Sequence, residues 1–462
     1  MSETGAALPV VALVGRPNVG KSTLFNRLTR SRDALVADQP GVTRDRQYGY
    51  GAHAGQRFIV VDTGGIGQDD EDIDARALAQ TEAALAEADV VLLVVDFRQG
   101  IMAGDEAIAE QLRRRGAHVF VAVNKSEGQT SVSAAAEFHA LGLGDPWAIS
   151  AEHGDRIRLL LEQVFTDLPP PRATVTAHRA DAIRLAVLGR PNAGKSTLVN
   201  RLVGDDRMLT QDAPGTTRDA VASEFMFKDK PYVIVDTAGV RRRARVDDHI
   251  EKISVVKAMQ AAEQAQIVLL IIDGVNGLSA QDIRLLNLAV ERGRAAVIAV
   301  NKWDGLSEKE RLTLHAQLVE RMGSFDFLPL VFISALHGTG LDDLLGAVGD
   351  SHRALFAELS TPRLSRALEA AVEGHAPPAI HGRRIKLRFA HQGGQNPPTI
   401  VIHGNQTQRL SAEYKRYLTH QFRKAFDLYG VPIQLVFKNS DNPYAGRSNN
   451  RGKDRDRGKP RR

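Results

Sequence analysis

Along the chain, short apolar runs alternate with longer stretches in which apolar positions recur at helical spacing. Val10–Val14, Phe58–Val61, Val90–Val95, Val119–Val123 and Trp147–Ile149 have the length and β-branched content of strands. Two of the longest runs, Val90–Val95 and Ile267–Ile272, each stop at an Asp. Strands alternating with helices predict βαβ units and a mostly parallel sheet with helices on both faces. The pattern restarts at Ile183, after a stretch that opens on Pro169-Pro170-Pro171 and reads as a linker, stiff at its start. After about residue 355 it changes. Arg363–Val372 and Ser411–Phe426 read as helices, and Arg384–Ala390, Thr399–His403 and Pro432–Lys438 as strands, a small α+β module of order α-β-β-α-β. The last stretch holds Arg, Lys, Gly, Asn and Asp with no apolar face, which predicts disorder. The expected division is 9–168, a linker 169–182, 183–355, 356–440 and a basic tail 441–462.

The restart is a true repeat. Gly15-Arg16-Pro17-Asn18-Val19-Gly20-Lys21-Ser22 returns as Gly189-Arg190-Pro191-Asn192-Ala193-Gly194-Lys195-Ser196, at an offset of 174. The same offset carries the Pro-Gly-x-Thr segment with Thr43 onto that with Thr217, and Asp62-Thr63-Gly64-Gly65 onto Asp236-Thr237-Ala238-Gly239. Asn124-Lys125 meets Asn301-Lys302 at 177, and Ser150-Ala151 meets Ser334-Ala335 at 184. Constant spacing followed by growing slippage describes two copies of one domain with later loop insertions. Each motif follows a strand, where an open α/β sheet places its ligand.

Both Gly-x4-Gly-Lys-Ser segments fit a phosphate-binding loop, in which backbone N–H groups close around phosphates at a helix N-terminus. Lys21 and Lys195 would neutralise the β/γ-phosphates, and Ser22 and Ser196 would offer a hydroxyl to Mg²⁺. Asp62 and Asp236 would hold that ion through water, and the Gly65 and Gly239 amides would sense the γ-phosphate. Thr43 and Thr217 would join Mg²⁺ and γ-phosphate only in the triphosphate state, ordering their loops.

Asn301-Lys302-Trp303-Asp304 sets the base. A carboxylate here accepts from guanine N1–H and its exocyclic amine, an arrangement that adenine lacks. The first copy reads Asn124-Lys125-Ser126-Glu127, one methylene longer, so guanine is expected there with altered geometry. Ser334-Ala335 and Ser150-Ala151 would support guanine O6 from the backbone. GTP and GDP are therefore the expected ligands. Ras-like GTPases orient water with a Gln after this Asp-x-x-Gly. Ile66 and Val240 stand there, so either turnover is slow or something else stabilises the transition state.

Composition narrows the class. Among 462 residues there is no Cys, which excludes disulfides, Cys zinc sites and thiol chemistry and suits a reducing cytoplasm. No apolar run approaches the 18 or so residues of a membrane span. The net charge of +5 is uneven: residues 362–462 sum to +13 and residues 1–361 to −8. Such a split predicts that the C-terminal part faces a polyanion, RNA above all. Arg241-Arg242-Arg243-Ala244-Arg245 directly follows the second Asp-x-x-Gly and reads equally as a state-dependent contact or a solvated run.

With these five elements twice, and with Arg384–Arg388, His391–Pro398 and Val401–Asn405 in the third module, the chain resembles the Der/EngA family of bacterial double GTPases. The resemblance covers about residue 9 to Tyr444. It implies two tandem P-loop GTPase domains, a KH-like third domain and a cytoplasmic, monomeric GTPase. That enzyme would act in assembly of the 50S ribosomal subunit, with the subunit's rRNA as partner. It also implies K⁺ ligation by Asn18 and Asn192, against the plainer reading that these residues shape the loop; a GTPase-activating protein is the other expected helper. KH modules grip nucleic acid with a GxxG loop, and none occurs between 356 and 440. Two competing readings are an RNA-binding scaffold with structural nucleotide and a tRNA-modification GTPase. The latter has one GTPase domain and a C-terminal cysteine, which this chain lacks.

Overall fold

The computed structural model describes residues 7–29, 47–63, 87–168, 181–204, 223–235, 255–380 and 383–439. Thr43, Gly64, Gly65, Ile66, Thr217, Asp236 through Val240, Arg241 through Arg245, most of the linker and the basic tail lie outside them. The chain forms two compact units, Met1–Asp326 with Leu330–Gly346, and Phe327–Pro329 with Ala347–Arg462.

The first unit holds two sheets of one topology. Strands β1 (Val10–Val14), β2 (Gln47–His53), β3 (Gln56–Asp62), β4 (Val90–Asp96), β5 (Val119–Asn124) and β6 (Trp147–Ala148) lie in the order β2-β3-β1-β4-β5-β6. Strands β7 (Ile183–Gly189), β8 (Ser223–Phe227), β9 (Lys230–Val235), β10 (Ile267–Asp273), β11 (Ala295–Asn301) and β12 (Leu330–Phe332) repeat it as β8-β9-β7-β10-β11-β12. Only the β2–β3 and β8–β9 pairs are antiparallel. Every residue of β1, β4, β10 and β11 is buried, as central parallel strands covered on both faces require. In the first sheet, Val11, Leu13, Val60 and Leu92 meet Leu24 and Leu28 of α1 (Lys21–Thr29) on one face. On the other, Val91, Leu93 and Val121 meet Ile108 and Leu112 of α2 (Ala103–Arg114). Helices α3 (Ser131–Ala135) and α4 (Ile157–Asp167) complete this copy. Helices α5 (Lys195–Gly204), α6 (Val255–Gln264), α7 (Ala280–Glu291) and α8 (Glu308–Met322) follow in the second, and α9 (Leu341–Leu355) runs from the first unit into the second.

The periodicity overlooks β2. Its sequence, two tyrosines alternating with glycines, has no apolar run, and the reason is space: a Cβ on Gly51 would stand 2.3 Å from the Phe58 ring. This hairpin joins the two copies. Val10, Tyr50, Ile59 and Val61 form one cluster with Val256 and Met259 of α6. The Tyr50 hydroxyl donates to Met259 O at 3.3 Å, Arg292 lies over its ring, and burial pushes that hydroxyl up to about 12. Arg57 donates to Glu263 of α6 at 3.1 Å.

In the second unit, α10 (Thr361–Gly374) is followed by a short antiparallel pair, β13 (Ala379–Ile380) and β14 (Arg383–Arg384). Strand β15 (Leu387–Gly394) pairs antiparallel with β16 (Thr399–Gly404), which pairs parallel with β17 (Gln434–Asn439) after α11 (Ala412–Phe426). Apart from the added β13–β14 pair, the α-β-β-α-β order is as the sequence implies. The strand expected from Arg384 begins instead at Leu387, because Arg383–Arg384 pairs back onto Ala379–Ile380.

Candidate functional site

The motif residues converge at the C-terminal ends of β1, β3, β4 and β5. The chain leaves β1 through Gly15 (φ +147) and bends at Asn18 (φ 62) and Gly20 (φ +100) before α1 begins at Lys21. A left-handed φ is most easily held by Gly, and next by Asn, which supplies a backbone reason for Asn18 and for Asn192 (φ 60). A Cβ on Gly20 would lie 2.2 Å from Asn124 Nδ2, and on Gly194 2.1 Å from Asn301 Nδ2, so the loop needs glycine where it closes on the base motif. Lys21 is buried, and its Nζ donates to Gly15 O at 2.8 Å and Arg16 O at 2.7 Å. Burial lowers its pKa against the opposing pull of Asp62. Lys195 donates likewise to Arg190 O at 2.6 Å.

Both Asn residues of the base motif act as struts. Asn124 donates to Val19 O at 2.9 Å and accepts from the Ala151 amide at 2.8 Å. Asn301 donates to Ala193 O at 2.8 Å and accepts from the Ala335 amide at 2.9 Å. Each buried amide thus fastens the phosphate loop to the Ser-Ala loop, so base and phosphate positions are set together. Lys125 (φ 62) donates to Asn18 O at 2.9 Å and to Asp96 at 2.7 Å, and Lys302 (φ 63) donates to Asp273 at 2.7 Å.

The carboxylates next in sequence are held from the Ser-Ala loops. Ser150 Oγ donates to Glu127 Oε1 at 2.7 Å, and Arg98 meets Oε2 at 3.2 Å. The Ser150 hydroxyl, followed by smaller effects including Arg98, holds the Glu127 carboxyl below the usual carboxylate range. The Ser334 hydroxyl does the same for Asp304, with His337 Nε2 3.5 Å away. The longer Glu127 side chain therefore ends on Ser150, the equivalent of the Ser334 that Asp304 meets. Val275 occupies the position equivalent to Arg98, and both backbone amides donate to the strand-ending Asp at 2.9 Å. Ser126 is buried and donates to Ile149 O, whereas Trp303 packs on Phe332 with ring centroids 4.0 Å apart.

Ser22 Oγ donates to Asp62 Oδ2 at 2.9 Å, so a hydroxyl and a carboxylate meet beside Lys21. These hard oxygens suit Mg²⁺. Among the described residues no cluster of three or more His, Cys, Asp or Glu side chains suggests another metal.

Four structural carboxylates escape the motif reading. Asp96 and Asp273 anchor the base-motif lysines. Asp105 and Asp282, both fully buried, hold Arg16 at 2.9 Å and Arg190 at 3.0 Å, tying the phosphate loop to the first turn of α2 and of α7. All four were findable, because each pair repeats at the 177 offset of the base motif.

Relatives share this organisation. The sequence matches the family described as 50S ribosome-binding GTPase over residues 10–125 and again over 184–302. Residues 358–438 match the KH-domain-like, C-terminal family of EngA bacterial GTPase enzymes. GTPase Der of Thioalkalivibrio sulfidiphilus is 51% identical over 443 residues, covering 96% of both chains. GTPase Der of Methylococcus capsulatus is 50% identical over 442 residues, again covering 96% of both. Among solved structures, Era of Aquifex aeolicus bound to GDP·AlF4⁻ is 20% identical, covers 61% of this chain and 99% of its own, and has a TM-score of 0.30, too slight a likeness to add to the argument.

Proposed function

The chain belongs to the Der/EngA family of bacterial GTPases, and from that premise we propose a two-site GTP-driven switch acting in assembly of the large ribosomal subunit. It is a GTP-binding and GTP-hydrolysing protein. The observation that carries the two-site reading is the matched pair of Asn struts. Asn124 and Asn301 join phosphate loop to Ser-Ala loop with bonds of 2.9 and 2.8 Å in one copy and 2.8 and 2.9 Å in the other. A decayed site has no reason to keep a buried amide so placed.

In each site the backbone of 15–22 or 189–196 receives the phosphates, and Lys21 or Lys195 donates to their oxygens. Glu127 or Asp304 accepts from guanine, kept ionised by Ser150 or Ser334. Mg²⁺, when bound, supplies positive charge to the β- and γ-phosphates; Ser22, Ser196, Thr43 and Thr217 are the residues proposed to hold it, with Asp62 and Asp236 behind them. Gly65 and Gly239 sense the γ-phosphate. Ile66 and Val240 cannot orient water; K⁺, which Asn18 and Asn192 would hold, or an activating protein would supply the positive charge that stabilises the transition state.

The ribosomal role rests on the description of the matched family and on the +13 charge of 362–462, which suits rRNA. The proposed domains are 9–168, 183–355 and 356–440. Among the described residues no helix is long and apolar enough to cross a membrane. A cytoplasmic location accords with the ribosomal reading, and a monomer is proposed with it. GTP turnover with Lys21→Ala and Lys195→Ala controls tests the enzyme. Absence of turnover would favour the scaffold reading.

A further inference from the structure

The three-stranded sheet of the second unit has one face turned to its helices, where Ala390, Ile400 and Ile402 are fully buried and Lys415 of α11 lies 5.5 Å over the Phe437 ring. Alternation and register put Phe389 and His391 of β15, His403 of β16 and Lys438 of β17 on the opposite face. There Phe389 is 43% exposed, although it is a large apolar side chain. Its ring stacks on His403 with centroids 4.4 Å apart and planes 7° from parallel. His391 closes a triangle of rings, 5.2 Å from His403 at 29° and 6.2 Å from Phe389 at 28°. Lys438 stands directly opposite His403 in the ladder and is exposed, as is Lys386 just before β15. Burial, then His391 and Lys438, hold the His403 imidazole below its usual range, so it offers a neutral ring at neutral pH.

Three rings in mutual contact and flanked by lysines are an unusual surface for a protein to leave open. A core would bury Phe389, and a hydrophobic protein interface would not surround it with cations. Residues 362–440 carry twelve Lys/Arg against four Asp/Glu. Those acids, Glu369, Glu373, Glu413 and Asp427, lie in α10 and α11 or at the end of α11, so among the described residues of 362–439 no acid shares the ring face. We propose that this open sheet face is a stacking platform for single-stranded RNA, with unpaired bases on Phe389, His403 and His391 and phosphates met by Lys438 and Lys386. Stacking needs a free base face, which single strands offer and duplexes conceal. The site replaces what the missing GxxG loop provides in other KH modules, and it rests on the proposed rRNA reading, which names the polymer but no surface.

The test uses the full chain with a fluorescein-labelled oligo(U) strand and, separately, a blunt RNA duplex, read by fluorescence anisotropy. Phe389→Ala should weaken oligo(U) binding by about tenfold, the effect of losing one stacked base. Phe389→Tyr should stay within about twofold, because the ring remains. Duplex binding and GTP turnover should not change, which shows the variant is folded. Emission from Phe389→Trp should be quenched by oligo(U). Unchanged oligo(U) affinity in Phe389→Ala, or unquenched emission at saturating RNA, would overturn the proposal and assign the patch to a protein partner. Equal loss on strand and duplex would overturn it as well. If 50S binding ignores nucleotide while Phe389→Ala still loses oligo(U), the switch reading falls and the platform stands; GTP-dependent 50S binding with an inert Phe389→Ala removes the platform alone.

Discussion

Ser150 and Arg98 hold the same carboxylate, and their strengths separate them. The Ser150 hydroxyl donates to ionised Glu127 at 2.7 Å, a short charge-assisted bond worth about 1.5–3 kcal/mol. Arg98 meets the other oxygen at 3.2 Å, but its side chain is 68% exposed. Water and salt screen such a pair to about 1 kcal/mol or less. With each 1.4 kcal/mol worth about tenfold, Ser150→Ala should weaken GDP at the first site by about 10- to 100-fold. Arg98→Val, which copies Val275 of the second copy, should cost no more than about fivefold, and that cost should fade in high salt. Titration with a fluorescent GDP analogue measures both, in an Asp304→Asn background whose second site no longer selects guanine. An Arg98→Val loss equal to or larger than the Ser150→Ala loss would refute the reasoning, by making the exposed ion pair the true anchor of Glu127.

The same hydroxyl sets a pH dependence: the Glu127 pKa lies below the ordinary range, so the acceptor is present above it and lost as pH falls through it. GDP affinity at the first site should stay level from neutral pH down through the ordinary Glu range and drop only below it; Ser150→Ala should bring the drop to higher pH. Asn301→Ala strands Ala193 O and the Ala335 amide inside the protein, at a cost of about 1–3 kcal/mol for each unsatisfied group. It should weaken nucleotide binding and lower the melting temperature together, and loss of one without the other speaks against a strut. If Asn18 and Asn192 ligate K⁺, turnover in KCl should exceed that in NaCl at equal ionic strength. Asn→Gly at each, which keeps the left-handed turn, should abolish that site's share of the difference; equal rates in both salts remove the K⁺ assignment.

The parallel strands were legible because central strands are apolar on both faces, and the repeat doubled each signal. Edge strand β2 was not, since Tyr50 and Gly51 are chosen for contact with Met259 and Phe58 rather than for strand propensity. Motif spacing located the phosphate loops, but it could not reveal what the motif residues do to one another. Asn124 and Asn301 face inward as struts, and Glu127 reaches Ser150 as Asp304 reaches the equivalent Ser334, facts of side-chain reach that no spacing encodes. Asp105 and Asp282 stayed hidden because a buried acid at a helix start reads in sequence as an ordinary cap. The pairing of Arg57 with Glu263 joins residues two hundred apart, where only the fold brings them together.

In the proposed switch, nucleotide state governs engagement with the large ribosomal subunit. Co-sedimentation of the full chain with 50S subunits, in a non-hydrolysable GTP analogue and in GDP at one salt concentration, tests it most directly. Binding should be seen with the analogue and fade with GDP, and the ratio should collapse in Lys21→Ala or Lys195→Ala. Equal binding in both nucleotides would mean that the basic C-terminal region docks on RNA by charge alone, and would contradict it.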